Sequence, residues 1–176
     1  FLSLFFYCKQ ENHFAFNFHP RPVIGRKNNL SPQELSADSF LIMDARTGTI
    51  IESKNKHWQL PPASLTKIPT AIVALRKYNL QEVVTVQDEY PIGKIMDLKK
   101  NEQIDVNSLM HGLLIHSAND AAYVLAGENQ VERREFIAQM NQLAQEYNLK
   151  ETRFVNFSGE EDIGHLSSAF DIAQLT

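Results

Sequence analysis

Ser64 and Lys67 stand three residues apart in Ser64-Leu65-Thr66-Lys67, a spacing that puts two side chains side by side on one face of a helix. A neutral lysine amine beside a serine hydroxyl can take its proton, so this pair is a candidate nucleophile and base that needs no histidine. Its place in the chain favours that chemistry. Pro61-Pro62 comes directly before it and an apolar helical stretch follows. A helix start offers free backbone N–H groups and positive potential. Both favour negative charge developing at Ser64, and the potential together with burial disfavours an ammonium at Lys67. Taken alone, the pattern is common, and its plain reading is a serine near a helix start with a lysine that snorkels to solvent. A second copy of the spacing, Ser53-Lys54-Asn55-Lys56, sits in a charged turn with no apolar helix after it, so Ser64 is the better candidate.

Ser117-Ala118-Asn119 is the second chemical element. Residues two apart do not share a helix face, but at a corner between two helices both can point into one cleft. The competing reading is that Asn119 or Asp120 only caps the helix that follows.

The elements that must position these residues are legible from periodicity. Phe40–Met43 and Thr49–Glu52 read as two strands joined by the turn Asp44-Ala45-Arg46-Thr47-Gly48, a hairpin. From Ala63 to Tyr78, Leu65, Ile68, Ile72 and Leu75 recur at helical spacing. With Ala71, Val73 and Ala74 on the remaining faces, the pattern predicts a central, buried helix. Pro69 is expected to kink it one turn after its start. Val83–Val86 is a strand candidate. Helices are expected over Asn107–Ile115 and Asp120–Glu128, broken at Ser117–Asn119. Phe136, Met140, Leu143 and Tyr147 mark the inner face of an amphipathic helix. Arg153–Asn156 reads as a short extended piece, and Ser168 with Asp171 as the cap of a last helix.

Composition narrows the classes. The chain has 176 residues, 43% hydrophobic and 22% charged, with a formal net charge of -4. That suits one globular domain and gives no basic field for nucleic acid. One cysteine, Cys8, rules out an intrachain disulfide and a cysteine metal cluster. The six histidines are scattered; His111 and His116 are five apart, off a shared helix face, so no metal or other cofactor is expected. The apolar stretch Phe1–Cys8 reads as the end of a signal peptide or as a buried strand, and residues 9–37, with Pro20, Pro22 and Pro32, as a linker or an extended N-terminal arm. No stretch is long and apolar enough for a membrane span.

Residues 38–67, ending in Pro61-Pro62-Ala63-Ser64-Leu65-Thr66-Lys67, resemble the opening of the low-molecular-weight penicillin-binding proteins, serine-type D-alanyl-D-alanine carboxypeptidases. The likeness continues in Leu113–Ala122, in Phe154-Val155-Asn156-Phe157-Ser158-Gly159 and in Gly164–Asp171, in the family's order. It implies an α/β (α+β) fold like that of β-lactamases and DD-peptidases: an antiparallel sheet flanked by helices, with a helical lobe bearing the Ser117 corner. Residues 1–37 would be signal-peptide remnant and arm, and 38–176 part of the catalytic domain, truncated at its C-terminal side.

The resemblance also implies roles. Ser64 is the acyl-ester nucleophile, Lys67 the general base, Ser117 a proton relay and Asn119 a substrate-binding residue. The substrate is the peptidoglycan stem pentapeptide, which loses its terminal D-Ala, and β-lactam antibiotics acylate the same serine. The location implied is outside the cytoplasm, with peripheral membrane association through a further C-terminal segment. The family's third element, Lys-Thr-Gly, does not occur within this span, so residues 1–176 by themselves are expected to be inactive. Two alternatives stand beside this reading: a β-lactamase-type hydrolase, which shares the Ser-x-x-Lys element, and a catalytically inactive peptidoglycan-binding module, which the gap favours.

Overall fold

The architecture begins where apolar residues first alternate around a turn. In the computed structural model, which describes residues 35–176, strands β1 (Phe40–Met43) and β2 (Ile50–Lys54) pair antiparallel with Phe40 opposite Lys54 and a bulge at Ile42/Met43. Asp44 makes the turn: its Oδ1 accepts from the Thr47 amide at 2.8 Å and the Thr47 hydroxyl at 2.7 Å, while Gly48 adopts φ +67°. This is Asx-turn chemistry, and it produces the expected hairpin. Cys8, the apolar stretch Phe1–Cys8 and the prolines Pro20, Pro22 and Pro32 lie outside the described residues.

After the hairpin, Ala63–Thr66 form a 3₁₀ turn and α1 spans Lys67–Lys77. The expected kink at Pro69 is corrected by this change of helix type. Pro69 falls in the first turn of α1, where a missing N–H removes no intrahelical bond. The expectation of an all-round buried helix is also corrected. Leu65 and Leu75 are 51% and 42% exposed, whereas Thr66, Lys67, Thr70, Ala71, Val73 and Ala74 are buried. The face turned inward is the one with small side chains, which lets α1 approach its neighbours closely.

Those neighbours form the helical lobe. Strand β3 (Val83–Thr85) pairs antiparallel with β4 (Gln103–Asp105), a partner that three residues of sequence did not reveal. Helix α2 (Val106–His111) starts at the Asp105 cap, which accepts from the Ser108 amide at 2.8 Å. It does not continue regularly to Ile115: Gly112–His116 form a π-helical turn that ends at Ser117 in the left-handed region, φ 59°. Helix α3 (Asn119–Ala126) follows, then α4 (Gln130–Glu146) and α5 (Ala169–Leu175). Phe136, Met140 and Leu143 of α4 are buried as expected; Tyr147 is 49% exposed because the helix ends before it, and Ala144 takes the inner position. The core joins α1, α2, α3 and α4 through Val73, Ala74, Leu109, Ala121, Ala122, Leu125, Phe136, Met140 and Leu143. Ser168 caps α5 by accepting from the Asp171 amide at 3.1 Å, and α5 packs on β1.

Two long-range ties hold the residue 154–167 segment to this frame. Asn141 of α4 treats the Phe154 backbone as a strand partner, donating to its carbonyl at 2.8 Å and accepting from its amide at 2.9 Å. His165 is buried between two partners. Its Nδ1 accepts from the Val155 amide at 3.1 Å, which leaves the Nε2–H to donate to Thr66 Oγ1 at 2.8 Å. The imidazole is thus a strut under the 3₁₀ turn, and burial lowers its proton affinity from the ordinary 6.5, with Asp162 acting in the opposite sense.

The unfolded chain takes up the histidine proton near 6.5, the folded protein only at lower pH. The stability His165 contributes is therefore complete above that ordinary value and declines as pH falls through the folded-state value. Thermal melting of the intact protein across this range should show the decline. His165→Gln should flatten it while costing about 1–3 kcal/mol near neutrality through unpaired buried groups. An unchanged pH slope in the variant would show that His165 is not the group responsible.

Candidate active site

Lys67 is 3% exposed, and its Nζ donates to Asn119 Oδ1 at 2.8 Å, to the Ser158 carbonyl at 2.7 Å and to Ser64 Oγ at 3.3 Å. An ammonium has three donors, and here each meets an acceptor from a different segment. Burial lowers the proton affinity of Lys67 from the ordinary 10.5, while the carboxylate of Glu160 raises it. Ser64 itself is exposed on the 3₁₀ turn. The residue before it, Ala63, has φ +48°, a conformation that costs a non-glycine residue about 1–3 kcal/mol. The turn is thus held in place by its surroundings.

Asn119 reaches Lys67 because it is not used as a cap. The cap residue of α3 is Ala118, and no side chain bonds the helix start from that position. Asn119 is gripped by the loop before β4 instead: its amide donates to the Lys94 carbonyl at 2.7 Å and its Nδ2 to the Ile92 carbonyl at 3.2 Å. Gly93 allows this approach, since a Cβ there would stand 2.4 Å from Asn119 Nδ2. Asp120, 2% exposed, turns to the same loop and accepts from the Met96 amide at 3.0 Å and the Leu98 amide at 3.1 Å. Of the four sequence candidates, three come together: Ser64, Lys67 and Asn119 form one hydrogen-bonded cluster. Ser117 takes the left-handed conformation two residues before Asn119, and its hydroxyl bonds to no described residue.

Sequence reasoning missed the third wall. Residues 154–160 lie across the start of α1 as a strap: Thr70 Oγ1 donates to the Phe157 carbonyl at 2.7 Å, Lys67 to the Ser158 carbonyl. Asn156 stiffens it, accepting from the Gly159 amide at 2.8 Å and donating to the Glu160 carbonyl at 2.9 Å. Gly159, φ +88°, lies so close to the serine turn that a Cβ would fall 1.9 Å from the Ala63 carbonyl oxygen. The segment was singled out by motif, but a carbonyl that binds a lysine carries no side-chain signature.

Among the described residues no group of acidic, histidine or cysteine side chains is arranged to hold a metal ion. A cavity of about 410 Å³ between Lys77, Val84, Tyr123 and Arg133 does not include Ser64 or Lys67 in its walls. Its charges are in part self-paired, Lys77 with Glu132 at 3.7 Å.

The model of a known family, D-alanyl-D-alanine carboxypeptidase, matches residues 26–176. The curated D-alanyl-D-alanine carboxypeptidase DacD of Escherichia coli (strain K12) is 34% identical over 159 residues, covering 82% of this chain and 41% of that protein. DacF of Bacillus subtilis (strain 168) is 32% identical, covering 78% of this chain and 37% of that protein. Among solved structures, penicillin binding protein 6B of Escherichia coli superposes with a TM-score of 0.74 at 34% identity, over 83% of this chain and 50% of the other. The chain thus spans about two fifths of the length of the curated relatives it matches.

The close approach at Gly159 is testable against an internal control. Gly48 also has positive φ, +67°, but a Cβ there meets nothing within 4 Å. Gly48→Ala should cost only backbone strain, about 1 kcal/mol. Gly159→Ala should cost at least twice that in denaturant unfolding of the intact protein, because the strap must lift off Ala63. Equal costs would show that the contact is not tight.

Proposed function

This chain belongs to the D-alanyl-D-alanine carboxypeptidase family, and from that premise we propose that the protein removes the terminal D-Ala from peptidoglycan stem pentapeptides through an acyl-enzyme on Ser64. The observation that carries the reading is the bond from Lys67 Nζ to Ser64 Oγ at 3.3 Å, made by a lysine buried at a helix start. Burial lowers the proton affinity of Lys67, so the amine is available as a base at lower pH than an exposed lysine would be. Neutral Lys67 takes the hydroxyl proton, and Ser64 Oγ attacks the carbonyl of the penultimate D-Ala. The negative charge that develops on the substrate's carbonyl oxygen is met by the Ser64 N–H as one oxyanion donor. Ser117, at the open corner, relays the proton to the departing D-Ala nitrogen, and Asn119 holds the substrate peptide. Water then releases the acyl group and restores Ser64.

Penicillins present the same carbonyl and acylate the same oxygen, which accords with the similarity to penicillin-binding structures. A class A β-lactamase reading is weaker, because Ala118 is fully buried and supplies no carboxylate at the middle of the second element. The substrate places the reaction outside the cytoplasm, on the cell-wall side of the membrane. No described helix is long and apolar enough to cross a membrane.

Fluorescent penicillin labelling of the full-length protein followed by peptide mapping should put the label on Ser64 alone. A label on Ser53 or Ser117 would sink the assignment.

Lys67→Arg keeps the positive charge but cannot be deprotonated at usable pH. The variant should fold and lose acylation by at least about 10²-fold, the lower range for removing a general base. Acylation within tenfold of wild type would exclude Lys67 as the base.

A further inference from the structure

Among the described residues Glu160 is the charge that acts on Lys67, and the reaction as derived gives it no part. Ser158 links the two: its carbonyl accepts from Lys67 Nζ at 2.7 Å, and its hydroxyl donates to Glu160 Oε2 at 3.2 Å. The same carboxylate oxygen accepts from the Tyr90 hydroxyl in a very short hydrogen bond. Tyr90 belongs to the loop that grips Asn119 two residues on, at the Ile92 carbonyl. We propose that Glu160 is a positioning residue for acyl transfer, a carboxylate latch that ties the Tyr90 loop to the Ser158–Gly159 strap and keeps negative charge behind Lys67. The proposal rests on the acyl-transfer reading above and adds to it the group that holds two of the three Lys67 acceptors, Asn119 Oδ1 and the Ser158 carbonyl, at fixed distance.

The latch is built on one side from aromatic packing. Tyr90 stacks on Tyr123 of α3 with ring centres 4.6 Å apart, and the Arg133 guanidinium of α4 lies 3.7 Å over the opposite ring, Tyr123. Burial first, and the Glu160 carboxylate second, push the Tyr90 phenol well above its ordinary range, so Tyr90 remains a donor throughout the pH range of acylation. The groups that face the pair are few. Toward Lys67 stand the neutral Ser64, Asn119 and Ser158; toward Glu160 stand Ser158 and Tyr90, with Tyr123 and Arg133 behind. Asp162, further along the same loop, acts on His165.

The consequence has a sign. A negative charge favours the ammonium form of Lys67 and so raises its proton affinity against the lowering by burial. Removing the charge lowers that affinity, and the neutral base then forms at lower pH. In full-length protein, Glu160→Gln keeps an acceptor for Tyr90 and Ser158 but not the charge. The acidic limb of the pH profile of penicillin acylation should move down by on the order of half a pH unit. Glu160→Asp, which keeps the charge on a shorter arm, should keep the wild-type limb at a several-fold lower rate. Tyr90→Phe should likewise lower the rate several-fold at every pH and leave the limb in place.

An unmoved limb in Glu160→Gln would overturn the proposal, since a structural role alone scales the rate without moving the profile. If Glu160→Gln does not fold, the other two variants decide: wild-type rate and profile in Tyr90→Phe would overturn the latch, and the several-fold loss would support it. A wild-type protein that takes no penicillin at Ser64 would instead overturn the acyl-transfer reading itself.

Discussion

A lysine ammonium taken out of water must find three acceptors or give up its proton, and the described structure is organised around meeting that demand at Lys67. Each acceptor arrives from a different part of the chain: Ser64 Oγ from the turn before α1, Asn119 Oδ1 from the start of α3, the Ser158 carbonyl from the strap after α4. Leaving one unmade costs a buried charged group more than the roughly 1–3 kcal/mol of a neutral orphan. Three segments separated by 52 and 91 residues are therefore fixed relative to one another to within hydrogen-bonding tolerance.

That tolerance is met by close packing at small residues. Alanines on α1 and α3 let the two helices approach, which places Asn119 over Lys67. Gly159 lets the strap touch Ala63, Gly93 lets the loop touch Asn119, and Gly112 sits where a Cβ would stand 1.9 Å from Met96 Sδ. Polar struts then pin what packing brings near: Asn141 on Phe154, Thr70 on Phe157, His165 on Thr66, Asp120 on the Met96 and Leu98 amides. None of these side chains need touch a substrate. Each fixes a stretch of backbone in the frame around Lys67, Asn119 and the Ser64 turn.

How far this was readable beforehand divides along physical lines. Local chemistry was legible: the Asp44 turn, the Ser168 cap and the helix after Pro62 each follow from a few neighbouring residues. Which face of α1 turns inward was not. Periodicity picked Leu65 and Leu75, yet Thr66 and Thr70 are buried in their place beside the expected Ala71, Val73 and Ala74, because close approach is decided by the partner helices. Tyr147 kept the period of α4 but lies past its end. The π-helical turn at Gly112–His116, which delivers Ser117 in the left-handed region, has no short-range signal. In the site, Ser64, Lys67 and Asn119 were visible as side-chain types with a spacing. The Ser158 carbonyl and Glu160 were not, since one is backbone and the other an ordinary acidic residue in a loop with two more, Glu161 and Asp162.

The same inventory of donors explains why the proposed base is coupled to its nucleophile. As an ammonium, Lys67 donates three bonds, and Ser64 Oγ is one of its acceptors. A neutral amine has two N–H donors and one lone pair. Asn119 Oδ1 and the Ser158 carbonyl can only accept, and they lie nearer to Nζ, at 2.8 and 2.7 Å against 3.3 Å for Ser64 Oγ. They therefore keep the two remaining donors, and the lone pair is left to face Ser64. Only a hydroxyl can reverse its role in place, turning from acceptor to donor by rotating one bond. Loss of the lysine proton thus aims the Ser64 O–H at the nitrogen that will take it. Two fixed acceptors and one reversible one are enough to give that geometry without histidine, metal or cofactor in the proposed step.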